Sequence, residues 1–316
     1  MTMKKVLFLD TNHPVMIETI RAAGIKCDED YHSSKEEVLK KIAAYDGVII
    51  RSRFKIEKDF IDAATNLKCI GRAGAGMENI DVTYAESKGI RCVHAPEGNR
   101  DAVGEQAIGM LLALMNHLLR ADREVRSGIW KREENRGYEL QGKTVGVIGY
   151  GNMGSAFVQR LKGFGVKVLV YDKYKQGFGR DFVTEATLQE IFDQADVLSL
   201  HIPLTDETRY LVNDAFLSSF RKNIWLINTA RGKVLHTADL VKHLKSGKVI
   251  GACLDVLEYE SVSFEQLDAG SLPEPFQYLI HSDNVILSPH IAGWTFESHE
   301  KIGKYLAEKV IRVLQG

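Results

Sequence analysis

Lys143-Thr-Val-Gly-Val-Ile-Gly-Tyr-Gly-Asn-Met-Gly154 decides the fold. A short apolar run, residues 145–148, leads into Gly149-x-Gly151-x-x-Gly154. Read as strand, turn and helix start, the first glycine permits the tight turn and the second lets a pyrophosphate approach the backbone. The third lets the helix pack closely on the strand, and the free N–H groups at the helix start face the phosphates. Glycine spacing alone is a weak signal, so the context matters. Val166-Lys-Val-Leu-Val-Tyr-Asp172 reads as a second strand, ending in an acid about 20 residues past the glycines, as a dinucleotide site requires. Asp172 accepts hydrogen bonds from the ribose hydroxyls and repels a 2′-phosphate, which predicts NAD rather than NADP.

Downstream of this turn the rhythm continues. Strands are predicted at 144–148, 166–171, 197–200, 224–228, 249–254 and 285–288, with helical patterns between most of them. Six such strands make a doubly wound dinucleotide-binding sheet. Residues 258–283 interrupt it and read as a long loop of the functional kind. Upstream, apolar runs at 6–9, 48–50, 67–71 and 90–94 alternate with amphipathic stretches such as 36–44. This βαβ pattern predicts a second parallel sheet with helices on both faces. Residues 102–119 read as one long helix, apolar over much of its surface and therefore buried between domains or subunits. A final helix over 298–314 carries Ile302, Tyr305, Leu306, Val310, Val313 and Leu314 on one face. With no strand left to follow, it is expected to return to the first domain.

Composition agrees. A chain of 316 residues predicts about two domains. Its net charge of −1 leaves no electrostatic footprint for nucleic acid or an anionic membrane. No apolar run reaches the roughly 20 residues that span a bilayer. The four cysteines, Cys27, Cys69, Cys92 and Cys253, are scattered without C-x-x-C spacing. They read as reduced thiols of a cytoplasmic protein.

Three further segments place polar residues just after strands, where a doubly wound sheet binds its ligand. They are Asn228-Thr-Ala-Arg231-Gly232, Asp255-Val-Leu-Glu258-Tyr-Glu260 and Ser288-Pro-His290-Ile-Ala-Gly-Trp294. A guanidinium clamps an α-keto or α-hydroxy carboxylate bidentately. A histidine gives and takes a hydroxyl proton near neutral pH. A carboxylate beside it holds the imidazole in place. Each alone has an ordinary alternative as a solvated charge or a structural histidine.

With these segments the chain resembles the D-isomer-specific 2-hydroxyacid dehydrogenases over essentially its whole length. The resemblance rests also on Arg72-Ala-Gly-Ala-Gly-Met-Glu-Asn-Ile-Asp81, Ala95-Pro-Glu-Gly-Asn99, Leu200-His-Ile-Pro-Leu-Thr205 and Leu254-Asp-Val256. It implies two doubly wound parallel-sheet domains, a Rossmann cofactor domain (98–289) inserted into a flavodoxin-like substrate domain (1–97 and 290–316). It implies NAD, no metal, and a homodimer through the cofactor domains. Arg231, Glu260 and His290 take the places of the carboxylate-binding arginine, the orienting acid and the acid/base. Gly149, Gly151, Asn152, Met153, Gly154, Asp172, His201, Pro203, Thr208, Ala230, Asp255 and Gly293 take cofactor positions. Ala73, Gly74, Ala75, Gly76 and Asn99 take substrate positions. The family follows its catalytic Glu with Pro, whereas Ser261 follows Glu260 here, so Glu258 stays open as the partner of His290. The resemblance stops at the family core, so no C-terminal regulatory domain is expected.

The segment Ile50-Arg-Ser-Arg-Phe-Lys-Ile56 resembles the arginine-bearing turn of D-3-phosphoglycerate dehydrogenases. Two guanidiniums, Arg51 and Arg53, suit a dianionic phosphate. The resemblance therefore points to D-3-phosphoglycerate and 3-phosphohydroxypyruvate, the chemistry of serine biosynthesis. The alternatives are a glyoxylate or hydroxypyruvate reductase, and an NAD(H)-binding corepressor that keeps the fold without turnover.

Overall fold

The computed structural model describes residues 3–260 and 273–316. It divides into two compact units, residues 1–99 with 294–316, and residues 100–293. The divisions fall a few residues later than the 97/98 and 289/290 boundaries expected above. The second shift has a physical cause. Backbone N–H groups of His290, Ile291 and Ala292 all donate to Asp255, which holds the turn around His290 to the second unit.

In the first unit five parallel strands, β1 (Lys5–Phe8), β2 (Lys26–Glu29), β3 (Gly47–Ile50), β4 (Cys69–Arg72) and β5 (Arg91–His94), order as β2-β1-β3-β4-β5. This is the flavodoxin-like order. Side chains alternate across the sheet. Val6 and Phe8 pack with Leu306, Val310 and Leu314 of the C-terminal helix Phe296–Gln315 on one face. Leu7 and Leu9 pack with Val38, Ile42 and Phe60 on the other. The C-terminal helix therefore completes this unit, although Tyr305 is left outside the packed stripe. Strand β2, Lys-Cys-Asp-Glu, was absent from the sequence reading. It lies at the sheet edge, where one flank faces away from the core and no apolar run is needed.

The second unit holds β6 (Thr144–Ile148), β7 (Lys167–Tyr171), β8 (Val183–Glu185), β9 (Val197–Leu200), β10 (Ile224–Asn228), β11 (Val249–Leu254) and β12 (Val285–Leu287). All are parallel, in the order β12-β11-β10-β9-β6-β7-β8. That is the Rossmann order with one strand more than the six expected. The addition, β8, is a three-residue edge strand. Val145 and Val147 face a core with Leu111, Phe157 and Ile227. Ile148 faces the opposite core with Leu198, Leu226 and Leu254. Each such fully buried side chain contributes about 1.5–3 kcal/mol.

Two expectations change. The single helix over 102–119 is two helices, Arg100–Met115 and Leu118–Arg126, bent by 61°. The break is at His117, whose φ of 53° is left-handed. No residue of the second helix is buried, and Leu118 and Leu119 are exposed. The loop predicted over 258–283 contains a helix, Glu274–His281, and its middle lies outside the described residues. No single helix among the described residues is long and apolar enough to cross a membrane.

Candidate active site

Strand β6 ends in Gly149, whose φ is +93°. A Cβ there would lie 2.4 Å from the His201 carbonyl oxygen, and one at Gly154 would lie 1.9 Å from that of Gly149. Only glycine fits either position. A Cβ at Gly151 would meet nothing within 4 Å, so that face of the turn is open to a ligand. Helix Asn152–Leu161 follows with Gly151 as its N-cap and no side-chain cap. The first N–H groups of Asn152 and Met153 are thus left for an anion. A cradle closed to side chains on one side and open over an uncapped helix start fits a dinucleotide pyrophosphate.

Asp172, just past β7, does more than wait for a ribose. Its Oδ2 accepts from the Tyr150 N–H at 2.7 Å. Its Oδ1 accepts from the Tyr174 and Lys175 N–H groups at 2.9 and 3.0 Å. A carboxylate has about four acceptor sites, so Asp172 both ties the glycine turn to the loop after β7 and keeps capacity for a hydroxyl. Beyond β9, Thr208 closes a turn by donating to the Pro203 carbonyl at 2.6 Å. His201 is turned inward. One ring nitrogen meets the Ser199 hydroxyl at 2.8 Å, and Nδ1 is buried without a partner. Burial pushes its pKa down to about 3. Its imidazole packs on the ring of Phe157 in the helix after the glycine turn, and its backbone carbonyl borders Gly149.

The segment after β11 separates the two candidate acids. Glu258 accepts from the Tyr210 hydroxyl at 2.8 Å and from the Thr237 N–H at 3.0 Å, which makes it a brace for helix Thr237–Lys245. Glu260 lies beside His290, its Oε2 2.8 Å from Nδ1. Both side chains are largely buried. The other Glu260 oxygen accepts from the Leu257 N–H. A carboxylate oxygen accepts, so Nδ1 donates to Glu260, and Nε2 lies on the opposite side of the ring.

His290 has a φ of +56°, a strained conformation for a non-glycine residue. Asp255 enforces it. The Asp255 carbonyl accepts from the His290 N–H at 2.7 Å. Its buried carboxylate accepts from the Ser288 hydroxyl (2.6 Å), Gln106 Nε2 (3.2 Å), and the Ile291 and Ala292 N–H groups (both 2.9 Å). Gly293 follows this clamped turn as the last residue of the second unit. Gln106 is a site residue the sequence reading missed. Its only signal was a polar pair, Glu105-Gln106, inside a largely apolar helical stretch.

Arg231 follows β10. Asn228 shapes its turn, accepting from the Ala230 N–H and donating to the Arg231 carbonyl, both at 3.1 Å. Arg231 Nη1 donates to the Ala230 carbonyl at 2.7 Å. The other unit holds Arg51 and Arg53. Arg53 donates to the carbonyls of Leu9 (2.9 Å), Asp30 (2.6 Å) and Ser33. Its guanidinium ties the end of β1 to the loop after β2, a structural task beside the phosphate contact that the resemblance implies. The Arg51 guanidinium lies 5.2 Å from the Trp294 ring centre. Ala73–Gly76 form the turn after β4, and Asn99 ends the unit's first segment with its Oδ1 buried and unpartnered. Among the described residues no cluster of metal-ligating side chains occurs.

Residues 108–292 match the model of the NAD binding domain of D-isomer specific 2-hydroxyacid dehydrogenases. The chain belongs to that family. NAD is accordingly the cofactor of the unit 100–293. The chain is 34% identical to a D-3-phosphoglycerate dehydrogenase of Archaeoglobus fulgidus, over 99% of its own length but 58% of that relative. It is 37% identical to a hydroxypyruvate reductase of Thermotoga maritima, covering 90% of this chain and 89% of the relative. A D-lactate dehydrogenase from Aquifex aeolicus, solved with NAD and lactic acid, is 29% identical. It superposes with a TM-score of 0.83, over 99% of this chain and 96% of that one.

Proposed function

We propose that the chain interconverts a short D-2-hydroxy acid and its 2-keto acid with NAD(H), and that the acid is D-3-phosphoglycerate. The observation that carries the first part is the 2.8 Å contact between Glu260 and His290 Nδ1, on a turn whose strained backbone Asp255 holds. When bound, NAD supplies the two-electron acceptor for the hydrogen leaving C2. Nε2 of His290 takes the hydroxyl proton in oxidation and returns it in reduction. Glu260 holds the ring and balances the imidazolium charge. Arg231 holds the substrate carboxylate and polarises the carbonyl. Gly149–Gly154 and Asp172 hold the cofactor.

The phosphate part rests on Arg51 and on the likeness to D-3-phosphoglycerate dehydrogenases. A second reading, reduction of hydroxypyruvate or glyoxylate, is favoured by one observation: three N–H groups of the Arg53 guanidinium donate to backbone carbonyls. Assembly as a homodimer through the cofactor unit belongs to the same proposal. Its support is the exposed apolar side of helix Leu118–Arg126 and of Ile129 and Trp130.

A panel of 2-hydroxy and 2-keto acids, followed by NADH absorbance, tests the proposal. Turnover highest on 3-phosphohydroxypyruvate supports it. Turnover highest on hydroxypyruvate or glyoxylate selects the second reading. NADH binding with no turnover of any acid overturns both and leaves a nucleotide-sensing binding protein.

A further inference from the structure

The turn Ala73–Gly76 presents two successive peptide groups by their N–H ends. The Gly74 carbonyl accepts from the Ala95 N–H at 2.9 Å. The Ala75 carbonyl meets His94 Nδ1 at 2.5 Å. A carbonyl oxygen only accepts, so Nδ1 carries a proton and donates it. Both donors come from adjacent residues at the end of β5. With their carbonyls engaged, the two peptides direct the N–H groups of Ala75 and Gly76 away. Neither N–H enters a hydrogen bond among the described residues, and both residues are only half-buried.

Cationic side chains and anchors surround the turn. The Arg72 side chain folds against Gly74, so close that a Cβ there would lie 1.7 Å from Nη1. Gly74 also has a φ of +152°. Lys309 holds His94 from the C-terminal helix, donating to its carbonyl at 2.8 Å while pairing with Glu97. Successive backbone N–H groups with a guanidinium alongside form an anion-binding nest. A hydrogen bond to a peptide carbonyl strengthens the N–H at the other end of that peptide.

We infer that His94 is a positioning residue for the substrate carboxylate: it orients and polarises the Ala75–Gly76 peptide so that the Gly76 N–H binds a 2-keto acid. The inference rests on the dehydrogenase reading above. The interaction is made equally in ground and transition states, so its loss shows in KM rather than kcat.

The test compares His94→Leu with His94→Asn on the 2-keto acid turned over fastest. The Asn amide N–H group occupies the place of Nδ1. His94→Leu should raise KM about 3–10-fold, the size of one hydrogen bond, with kcat and NADH affinity largely unchanged. His94→Asn should restore a KM near that of the wild type. Thermal melting of both variants reports folding. A wild-type KM in His94→Leu overturns the inference while the dehydrogenase reading stands. So does an equal KM rise in a His94→Asn protein that melts like the wild type. A wild-type protein that binds NADH and turns over no acid overturns the reading and the inference together.

Discussion

Two histidines follow strands of the same sheet and end differently. His201 follows β9 and His290 follows β12, and both lie at the strand ends where a doubly wound sheet gathers its ligands. His201 turns inward, onto Ser199 and the ring of Phe157. His290 is held against Glu260 on a strained backbone, its Nδ1 2.8 Å from that carboxylate. The difference lies in their neighbours, not in their position. Beside β12 a buried carboxylate, Asp255, collects the turn's N–H groups and forces the left-handed conformation. Among the described residues no such collector lies beside β9, and the imidazole settles against the core as a neutral ring. Strand-end placement nominates residues, and the partners around them decide which are available for chemistry.

The largest effects should come from breaking the His290 half of this comparison. His290→Ala should lower turnover by roughly 10²–10⁴-fold, the usual worth of a positioned acid/base, while fluorescence titration shows NADH affinity near that of the wild type. A modest loss in turnover would place the proton transfer elsewhere. Asp255→Ala acts one step back. It leaves several buried donors unsatisfied, at about 1–3 kcal/mol each. It should cost about 3 kcal/mol or more in urea denaturation and also reduce turnover, because His290 loses its imposed backbone. A variant that keeps its stability would refute the account of the clamp.

Arg51 and Arg53 carry the next test, in the other unit. Arg51→Ala should raise KM for 3-phosphohydroxypyruvate about 10–150-fold, the equivalent of about 1.5–3 kcal/mol for a charge-assisted contact. It should affect unphosphorylated hydroxypyruvate little. Arg53→Ala should instead lower the melting temperature and affect both substrates alike, because its donors hold Leu9, Asp30 and Ser33. Substrate-selective loss in Arg53→Ala would reverse that assignment. No selectivity in Arg51→Ala would favour hydroxypyruvate or glyoxylate as substrate.

The same distinction explains what was legible in the sequence. The glycine turn and Asp172 are readable because Gly149 and Gly154 are required by contacts only a few residues or one strand away. Parallel strands buried on both faces announce themselves as apolar runs. The edge strands β2 and β8 do not, being short and half-polar. The break at His117 carries no glycine or proline, so it looks like continuous helix. Glu258 and Glu260 are two residues apart and chemically alike, and only the folded turn shows that one braces Tyr210 and the other meets His290. Gln106 lies in a helix about 150 residues from the Asp255 it serves, a distance in sequence that no local pattern bridges.

The smallest effect concerns the inward histidine, and it is a slope rather than a loss. The ordinary histidine pKa is 6.5, and burial lowers that of His201 to about 3 in the folded protein. Between these values the unfolded chain binds one proton that the folded chain does not. Its contribution to stability is therefore fully present above about pH 6.5 and declines as pH falls toward about 3, at up to about 1.4 kcal/mol per pH unit. His201→Phe keeps an aromatic ring against Phe157 and removes the proton site. It also leaves the Ser199 hydroxyl without its partner, a pH-independent cost. Unfolding free energies from about pH 6 to 4 should thus fall less steeply for the variant than for the wild type, whatever the offset between them. Parallel slopes would mean that the folded protein accepts the proton as readily as the unfolded chain. His201 would then have a polar partner or open access to water, and the contrast with His290 would be one of degree.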